Sequence, residues 1–362
     1  MKILLVGDFQ FHSQGDYRRQ ISICKKVFDE MGHQTVPFDY RKAVSLEHFF
    51  RKLPKLYKLT PFISALRNKC INSKLINCVA GEKPDMMFVI QGEILFPKIL
   101  RAISDHHDVT TVCWWGEIHQ PETAEKLARS YDYFFHFDSY WADTYREMGA
   151  VNCRFLPFAC DPALHRPIVL EPADIRQYGC DVSFAGTWYP KREAFLNALA
   201  DYDLKIWGPG WHQVSKDSPL RKKYQGSGIF GEELIKLYSA SKITVNIQRE
   251  YDGIAHSTVM RTFEATGCGI MLLAEWRQDL ETLFAVGEEL QTFQTPGELK
   301  KKVDHYLKNE TERKTIAERG RLRSITDHTY QKRMEEILDI VQSGGYPPKL
   351  KNASIGLIQN RE

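Results

Sequence analysis

The sequence predicts an α/β fold in which two doubly wound domains face each other across a cleft. Short apolar runs, each sized for one buried strand, alternate with amphipathic stretches along the chain. This alternation is typical of parallel sheets that are covered by helices on both faces. A proline-rich segment separates two such series. The length of 362 residues also suits two domains of ordinary size.

The first series covers residues 1–160 and predicts an N-terminal domain. It opens with an apolar run, and the alternation of apolar and amphipathic stretches continues to a last short strand. Strands are expected at 2–7, 34–38, 86–90, 109–115, 133–137 and 152–156, and helices at 17–31, 45–78, 121–129 and 141–148, with one more ending near 106.

Residues 161–178 are expected to link the domains, because prolines recur there with little periodicity. Residues 179–328 then predict a C-terminal domain. Its strands are expected at 182–185, 204–208, 243–247, 270–274 and 289–293, and its helices at 191–200, 232–240, 296–308 and 310–326, with a short one before Gly267. A last helix at 329–342 is expected to pack back toward the N-terminal domain, ahead of a loose tail at 343–362.

Charge, cysteine content and hydropathy narrow the class of protein. The net charge of +3 does not favour a nucleic acid as partner. The eight cysteines lack metal-ligand spacing, so we expect reduced cysteines in the core. The chain opens on a strand pattern rather than a leader, and no apolar run reaches the roughly eighteen residues of a membrane span. We therefore expect a cytoplasmic protein.

The stretch from Tyr251 to Glu275 carries the strongest functional signal, since it predicts a loop, a short helix and a buried strand. Ser257 or Thr258 as the N-cap would leave backbone N–H groups pointing at the loop, where Arg261 adds positive charge, and both favour a bound phosphate. Glu264, about one turn later, is placed to accept hydrogen bonds from sugar hydroxyls. An ordinary Arg/Glu pair on a helix surface has the same spacing.

Several segments resemble, in order, landmarks of the CgeB-like (spore-maturation type) glycosyltransferases, which have the GT-B fold of two Rossmann-like domains. Most lie in the C-terminal half, at 181–193 (DVSFAGTWYPKRE), 206–211 (IWGPGW), 261–269 (RTFEATGCG), 279–284 (DLETLF) and 328–334, and two lie earlier, at 83–85 (KPD) and 156–159 (LPFA). The resemblance implies transfer of a sugar from a UDP- or other NDP-sugar, without a cofactor. It implies that the C-terminal domain holds the nucleotide and the N-terminal domain a saccharide, glycan or protein acceptor.

The resemblance also implies roles for single residues. In related enzymes a glutamate on the helix like that of Glu264 binds the ribose, and a second glutamate eight positions earlier lies near the donor sugar. That position is His256 here. Many relatives carry an arginine after the glycine that matches Gly186 and a lysine five positions later, where this sequence has Thr187 and Arg192. Arg192 therefore keeps a cation for the phosphate, while the donor-sugar position departs from the pattern.

The resemblance places the nucleotide base beside Ile229, Phe230 and Gly231, ahead of a predicted helix. A base needs a flat apolar slot, and Trp207 or Trp211 are candidates for its wall. The alternative for Trp207 is an ordinary core position, because aromatic residues of strands usually pack inward.

We expect the transfer to be independent of a metal. Negative charge develops on the diphosphate as it leaves, and fixed donors or a metal must stabilise it. The D-x-D sequence at residues 201–203 reads as a turn between a helix and a strand. Arg192, Arg261 and the helix N-terminus are therefore predicted to hold this charge. Gly186 and Thr187 follow a strand, where a glycine lets the backbone approach phosphates closely.

The sequence gives weaker indications of the residues that would bind the acceptor in the N-terminal domain. Trp114 and Trp115 precede Glu117 at the end of a predicted strand, and aromatic rings beside a carboxylate suit sugar binding. Glu117 is a candidate general base for the acceptor hydroxyl. Asp8 and His12, in the loop after the first strand, compete for that role. The sequence also offers a further pair of candidates, which is His136 with Asp138.

Residues 41–83 form a basic segment with ten Lys or Arg against two Glu, a net charge of +8. A partly amphipathic pattern of aromatic and leucine residues runs through it. It could contact an anionic acceptor or the surface of a membrane. A solvated helical face over an apolar core is the alternative that we prefer.

Two other functions fit the same pattern. A nucleotide-sugar epimerase or hydrolase would consume the donor without an acceptor. A nucleotide-sugar-binding protein without catalysis would explain the histidine at position 256. A dinucleotide-dependent oxidoreductase is not favoured, because residues 6–10 (VGDFQ) lack the G-x-G-x-x-G loop after the first strand.

Overall fold

The computed structural model describes residues 1–9, 17–40, 60–117, 121–249 and 256–344. In these ranges the chain forms two sheets of six parallel strands each, with helices on both faces. The α/β prediction of two doubly wound domains is therefore confirmed.

The N-terminal sheet has the strand order β2-β1-β3-β4-β5-β6. Its strands are β1 (Lys2–Gly7), β2 (Gln34–Asp39), β3 (Met86–Ile90), β4 (Thr110–Trp115), β5 (Tyr133–His136) and β6 (Cys153–Phe155). The helices around it are α1 (Tyr17–Glu30), α2 (Thr60–Glu82), α3 (Pro97–His106), α4 (Pro121–Ala128) and α5 (Ser139–Glu147).

The central strands of this sheet are apolar along their whole length because helices cover both faces. Alternate residues point to opposite faces. Leu4 and Val6 of β1 join one buried cluster with Met87, while Ile3 and Leu5 join another with Phe88. The continuous apolar runs that predicted these strands are thus the result of burial on two sides.

The C-terminal sheet has the order β12-β11-β10-β7-β8-β9. Its strands are β7 (Cys180–Ala185), β8 (Leu204–Trp207), β9 (Tyr224–Gly226), β10 (Ser241–Asn246), β11 (Met271–Glu275) and β12 (Gln291–Phe293). The helices of this half are α6 (Pro172–Tyr178), α7 (Pro190–Asn197), α8 (Glu232–Ala240), α9 (Met260–Gly267), α10 (Gln278–Leu283), α11 (Pro296–Lys308), α12 (Glu310–Asp327) and α13 (Tyr330–Gln342).

Three short elements were not predicted, namely α6, α10 and β9. Helix α6 lies in the proline-rich segment that we predicted to be a linker. It forms because Pro172 occupies its first turn, where a missing N–H costs nothing, and because Glu171 and Asp174 form a capping box. The six residues of α10 and the three of β9 are too short to show a period.

Helix α13 returns to the N-terminal half of the molecule. Tyr330, Met334 and Ile337 pack into the same buried cluster as Ile3 and Leu5 of β1. The buried Arg333 donates from Nε to the carbonyl of Pro157 at 2.9 Å and from Nη2 to the carbonyl of Phe158 at 3.2 Å. Helix α13 is thereby fixed to the segment in which the backbone first leaves the N-terminal sheet.

The cysteines differ in part from the prediction. All eight are free, and six are buried, but Cys70 is exposed and Cys78 is partly exposed. Both lie on α2, whose outer face is open to solvent. Burial raises the pKa of the core thiols, for example that of Cys153 to about 12.

The basic segment is described only from residue 60 onward, so its first part, 41–59, lies outside the described residues. Ile71, Leu75 and Val79 of α2 are buried against the sheet, while Leu66 is exposed. The described part thus has the solvated face and apolar core that we preferred, and membrane contact stays a prediction. No helix within the described ranges is long and apolar enough to cross a bilayer.

Candidate functional site

The carboxyl ends of the two sheets meet across one cleft. The strand orders reverse between β1 and β3 and between β7 and β10, and ligands of open α/β sheets bind in the crevices at such points. Across the cleft, Asp138, which follows β5, accepts hydrogen bonds at 2.9 Å from the backbone N–H groups of His256 and Ser257. The Ser257 hydroxyl donates to the carbonyl of Phe137 at 2.7 Å.

The loop after β7 is held by its neighbour after β8. Gly186 donates its N–H to the Trp207 carbonyl at 2.8 Å and accepts from Trp211 Nε1 at 2.8 Å. Gly208 has φ of 145°, and a Cβ there would lie 1.9 Å from the Gly186 oxygen. The two glycines thus allow the two loops to pack closely, and this packing fixes the position of Thr187.

Arg192 lies at the point where the strand order reverses. Its Nε donates to the carbonyl of Ile247 at 2.9 Å and its Nη1 to the carbonyl of Thr187 at 2.8 Å, which ties the loops after β10 and β7 together. Its guanidinium also lies 5.0 Å from the ring centre of Tyr189, and that of Arg249 lies 5.0 Å from the same ring. Arg192 therefore has a structural task in addition to any role with phosphate.

A buried carboxylate adjoins these cations. Glu275 ends β11, and its Oε1 lies 2.6 Å from Lys191 Nζ and 3.7 Å from Arg277 Nη2. Its Oε2 accepts the backbone N–H of Gln248 at 2.9 Å. Sequence reasoning did not select these residues, because their spacing along the chain gives no sign that they meet.

The start of α9 differs from the prediction. The N-cap is Val259, which offers no side-chain cap, and the helix begins at Met260. Ser257 is instead bonded across the cleft, and Thr258 Oγ1 accepts from Gln248 Nε2 at 3.2 Å and meets the hydroxyl of Thr262. The expectation of a Ser or Thr cap is wrong because both hydroxyls are engaged elsewhere, that of Ser257 across the cleft and that of Thr258 with Gln248 and Thr262.

Arg261 and Glu264 lie together on α9, as their spacing predicted. Arg261 Nη1 is 3.6 Å from Glu264 Oε2, and the guanidinium lies 5.9 Å from the ring centre of Phe230. Glu264 is only 4% exposed. It lines a narrow pocket with Gly231, which begins α8, and with residues of three further segments, namely Ile23, His165 and Tyr330.

This pocket joins both halves of the chain, since Ile23 comes from α1 and Tyr330 from α13. The pair on α9 is thus not the solvated helix-surface pair of the alternative interpretation. The buried carboxylate, the cation beside it and the aromatic ring at Phe230 form the candidate nucleotide site.

Both tryptophans proposed for the base slot are buried. Trp207 packs against Tyr178 with ring centres 6.1 Å apart, and Trp211 is 1% exposed. The core alternative for Trp207 is therefore the correct one. Phe230 is the aromatic ring that remains beside Arg261.

His256 faces the N-terminal domain. Its Nδ1 lies 3.3 Å from Ser139 Oγ, and its ring packs edge-on against Tyr140 with centres 5.3 Å apart. Ser139 in turn donates from its hydroxyl to Asp279 Oδ1 at 2.5 Å and from its N–H to Oδ2 at 3.2 Å. Burial raises the pKa of both Asp138 and Asp279, against the hydrogen bonds that they accept.

The predicted bases of the acceptor side lie at the carboxyl edge of the N-terminal sheet. Asp8 follows β1 and Glu117 follows β4, on either side of the end of β3. The position between them is Gln91, whose φ of 68° is in the left-handed region and whose amide atoms are buried without a hydrogen-bond partner. His12 lies outside the described residues. Gln91 was missed because strain and burial leave no mark in a sequence.

The aromatic residues of this edge are not available to a sugar. Trp114 and Trp115 are 1% and 2% exposed, and their indole N–H groups donate to the carbonyls of Leu156 at 3.1 Å and Glu117 at 2.7 Å. The prediction that they stack on a sugar is wrong, since both lie on β4 inside the core.

The geometry of His136 and Asp138 does not favour a role as general base for the acceptor. Burial lowers the pKa of His136 to about 3, so its imidazole stays neutral. Asp138 accepts the N–H of Trp141 as the N-cap of α5, in addition to the two N–H groups from across the cleft. Asp138 therefore links the two domains and stabilises the start of α5.

Comparison with known proteins agrees with this geometry. Residues 191–339 match the family described as glycosyl transferase-like. The structure is similar to HepE of Anabaena in complex with UDP, with 14% identity, a TM-score of 0.62 and coverage of 95% of this chain and 100% of that one. It is also similar to sucrose-phosphate synthase from Thermosynechococcus elongatus, with 13% identity, a TM-score of 0.67 and coverage of 95% and 99%.

The chain has the GT-B fold. The match to the glycosyl transferase-like family lies in its C-terminal half. A putative UDP-N-acetylglucosamine 2-epimerase from Listeria monocytogenes also matches the GT-B fold of this chain, with 10% identity, a TM-score of 0.56 and coverage of 95% and 96%. No curated protein matches the chain in sequence.

The D-x-D sequence of this GT-B protein lies away from the cleft. Asp203 directly precedes β8, at the amino end of the strand, and its carbonyl accepts the N–H groups of Asp181 and Val182 at 2.9 and 3.1 Å. The prediction of a turn is confirmed. Within the described ranges no group of three or more His, Cys, Asp or Glu residues is arranged to hold a metal ion.

Proposed function

We propose that the protein is a glycosyltransferase that moves a sugar from a nucleoside-diphosphate-sugar, most simply a UDP-sugar, to a saccharide, glycan or protein acceptor. The observation that carries the proposal is the pair of Arg261 and the buried Glu264 on α9, where Glu264 also lines a narrow pocket between the two halves of the chain. Its support is the glycosyl transferase-like domain and the UDP-bound state of the similar HepE structure. The order of sequence landmarks supports the CgeB-like group within this fold.

In this proposal the C-terminal domain binds the nucleotide. Glu264 accepts hydrogen bonds from the ribose hydroxyls, Phe230 and Gly231 lie beside the base, and Arg261 faces the diphosphate together with Arg192. Charge-assisted hydrogen bonds to such groups are about twice as strong as neutral ones. His256, Ser257 and Thr258 lie at the donor sugar, where the histidine contacts the N-terminal domain.

The chemical step needs a stabilised leaving group and an activated acceptor. As the sugar–phosphate bond breaks, the negative charge on the diphosphate is met by Arg261, Arg192 and the backbone near Thr187. Glu117 or Asp8, on the opposite edge, takes the proton of the acceptor hydroxyl. We propose that no metal is needed, because these cations lie at the carboxyl edge while the D-x-D sequence lies at the amino edge of β8.

The first prediction tests the nucleotide site. Glu264→Gln is expected to raise the Kd for UDP by about tenfold or more, since a hydrogen bond to a charged group contributes about 1.5–3 kcal/mol. Arg261→Met is expected to lower turnover of a UDP-sugar by about a hundredfold. Calorimetry measures the Kd, and release of UDP from a panel of UDP-sugars, with and without EDTA, measures turnover.

The controls are Glu318→Gln and Arg319→Met, which change two exposed side chains of α12 whose ion-pair partners, Arg321 and Glu288, lie away from the pocket. Unchanged UDP affinity in Glu264→Gln would remove the ribose role, and loss of turnover with EDTA would remove metal independence. An altered sugar that forms from the UDP-sugar without any acceptor would favour the epimerase that the Listeria neighbour represents. Binding without turnover would favour the non-catalytic alternative.

A further inference from the structure

We propose that His165 is a positioning residue that orients the carboxylate of Glu264 for the ribose. The proposal rests on the proposed function, in which Glu264 binds the nucleotide. His165 lies in the segment between the two sheets, is 6% exposed and lines the same pocket as Glu264. Its Nε2 is 3.8 Å from Glu264 Oε1.

The hydrogen bonds of His165 fix which ring nitrogen carries the proton. Nδ1 accepts the backbone N–H of Asp161 at 2.9 Å. A backbone N–H can only donate, so Nδ1 supplies its lone pair, and the proton of the neutral ring is on Nε2. The protonated nitrogen of the neutral imidazole is therefore the one that lies 3.8 Å from Glu264 Oε1.

The backbone holds this arrangement in place. His165 donates its own N–H to the Asp161 carbonyl at 2.7 Å, which closes a tight turn. Helix α9 lies directly on that turn, since a Cβ on Gly267 would be 3.2 Å from the Cβ of His165 and 3.3 Å from its carbonyl oxygen. The ring and the carboxylate are thus set by two backbone segments in contact.

Glu264 is consequently held from two sides. His165 faces Oε1, and Arg261 faces Oε2 at 3.6 Å. Each carboxylate oxygen has two lone-pair sites, so both oxygens keep capacity for hydroxyl donors in the pocket. A carboxylate whose plane is fixed in this way suits two neighbouring hydroxyls, as in a ribose, better than the single hydroxyl of a deoxyribose.

The experiment compares the affinities for UDP and 2′-deoxy-UDP by calorimetry at pH 8, where imidazoles are neutral. The wild type is expected to prefer UDP by about tenfold or more. His165→Asn keeps an acceptor for the Asp161 N–H but lacks the donor to Glu264, so its preference should fall to about threefold or less. His165→Gln places an amide N–H near the position of Nε2 and should keep a preference within about threefold of the wild type.

His212→Asn, on the exposed surface of the same domain, is the matched control. A His165→Asn variant that keeps the full preference, or that loses UDP and 2′-deoxy-UDP affinity equally, overturns the proposal, because the histidine is then only structural. Should the Asn variant not fold, His165→Leu, which fills the site without a donor, is measured in the same way. Failure of the wild type to bind UDP overturns the proposed function instead.

Discussion

His328 is a buried imidazole that two neighbours keep in its neutral form. Its Nε2 donates to the Leu283 carbonyl at 2.6 Å, and its Nδ1 accepts from Arg333 Nη2 at 2.9 Å. Burial, with the nearby Arg333 charge, lowers the pKa of His328 to about 4, and burial alone lowers that of His136 to about 3. Both residues therefore make folding depend on pH.

The sign of this dependence follows from the two pKa values. Between the ordinary pKa of about 6.5 and the folded value, the unfolded chain binds a proton that the folded chain does not, so stability falls as the pH decreases through this window. Each histidine contributes a slope of about 1.4 kcal/mol per pH unit. Asp138 and Asp279, with raised pKa values, act in the opposite sense.

His328→Gln should reduce the slope of stability against pH by about one proton between pH 6 and 4.5. Urea unfolding at several pH values measures it, and the exposed His212→Asn is the control. Parallel curves for the wild type and His328→Gln would show that His328 is charged in the folded protein.

At this scale the sequence predicted that Arg261 and Glu264 lie together but did not predict all of their partners. Arg261 and Glu264 are one turn apart on one helix, which spacing alone reveals. His165 approaches Glu264 from a distant segment, and Asp138 accepts the N–H groups of His256 and Ser257 from the other domain. Contacts of this kind depend on how the two domains meet, which a local pattern does not encode.

Helix α12 packs closely against α9 and so fixes the distance between the two helices. Thr266 Oγ1 and Ser324 Oγ are 2.6 Å apart where the helices touch. Gly320 of α12 faces the loop before β12, and a Cβ there would lie 2.1 Å from the Glu289 carbonyl oxygen and 3.6 Å from Thr266 Cγ2. Neither the carbonyl nor the helix backbone can give way cheaply, so this glycine permits the packing.

Gly320→Ala is therefore expected to lower the free energy of unfolding by about 1–3 kcal/mol through overpacking and to weaken UDP binding by displacing α9. Urea unfolding and calorimetry measure the two effects. Gly297→Ala, in α11 with no atom within 4 Å of the added Cβ, is the matched control and should be neutral or slightly stabilising. Equal stability of the two variants would contradict this account.

Elements with a clear apolar run or helical period were predictable, whereas α10 and β9 were not. The apolar runs of β1, β3 and β11 and the periodic stretch of α11 appear in the structure within a residue or so of their predicted bounds. Strand β9 forms only because β8 lies beside it, and α10 packs Leu280 and Leu283 into a core that other segments build. Their stability comes from tertiary contacts rather than from their own pattern.

At the scale of the whole molecule, a group of polar contacts, here called the polar brace, joins the two domains beside the proposed donor site. Asp138 accepts the N–H groups of His256 and Ser257, and Ser139 donates to Asp279, so the residues after β5 are linked to the segment before α9 and to α10. A dry, closed cleft strengthens electrostatic contacts to a substrate. The brace thus couples the relative position of the domains to the segment that precedes α9.

The double substitution Asp138→Ala, Asp279→Ala should open the cleft, since each orphaned buried N–H costs about 1–3 kcal/mol. Small-angle scattering is expected to show a larger radius of gyration than that of the wild type, and UDP affinity should fall by about tenfold. Asp105→Ala, exposed on α3, is the control. Identical scattering curves for the variant and the wild type would argue against a brace.

In the part that the structure describes, the chain crosses from the N-terminal to the C-terminal domain after Cys160 and returns near Thr329. These two connecting segments are hydrogen-bonded to each other. Cys160 donates its N–H to the His328 carbonyl at 2.8 Å and accepts from the N–H of Tyr330 at 3.1 Å. Because the two connecting segments are bonded to each other, they form a single hinge. Any rotation of one domain relative to the other is therefore expected to follow one axis through these hydrogen bonds. A single protease cut in either passage would leave the halves attached.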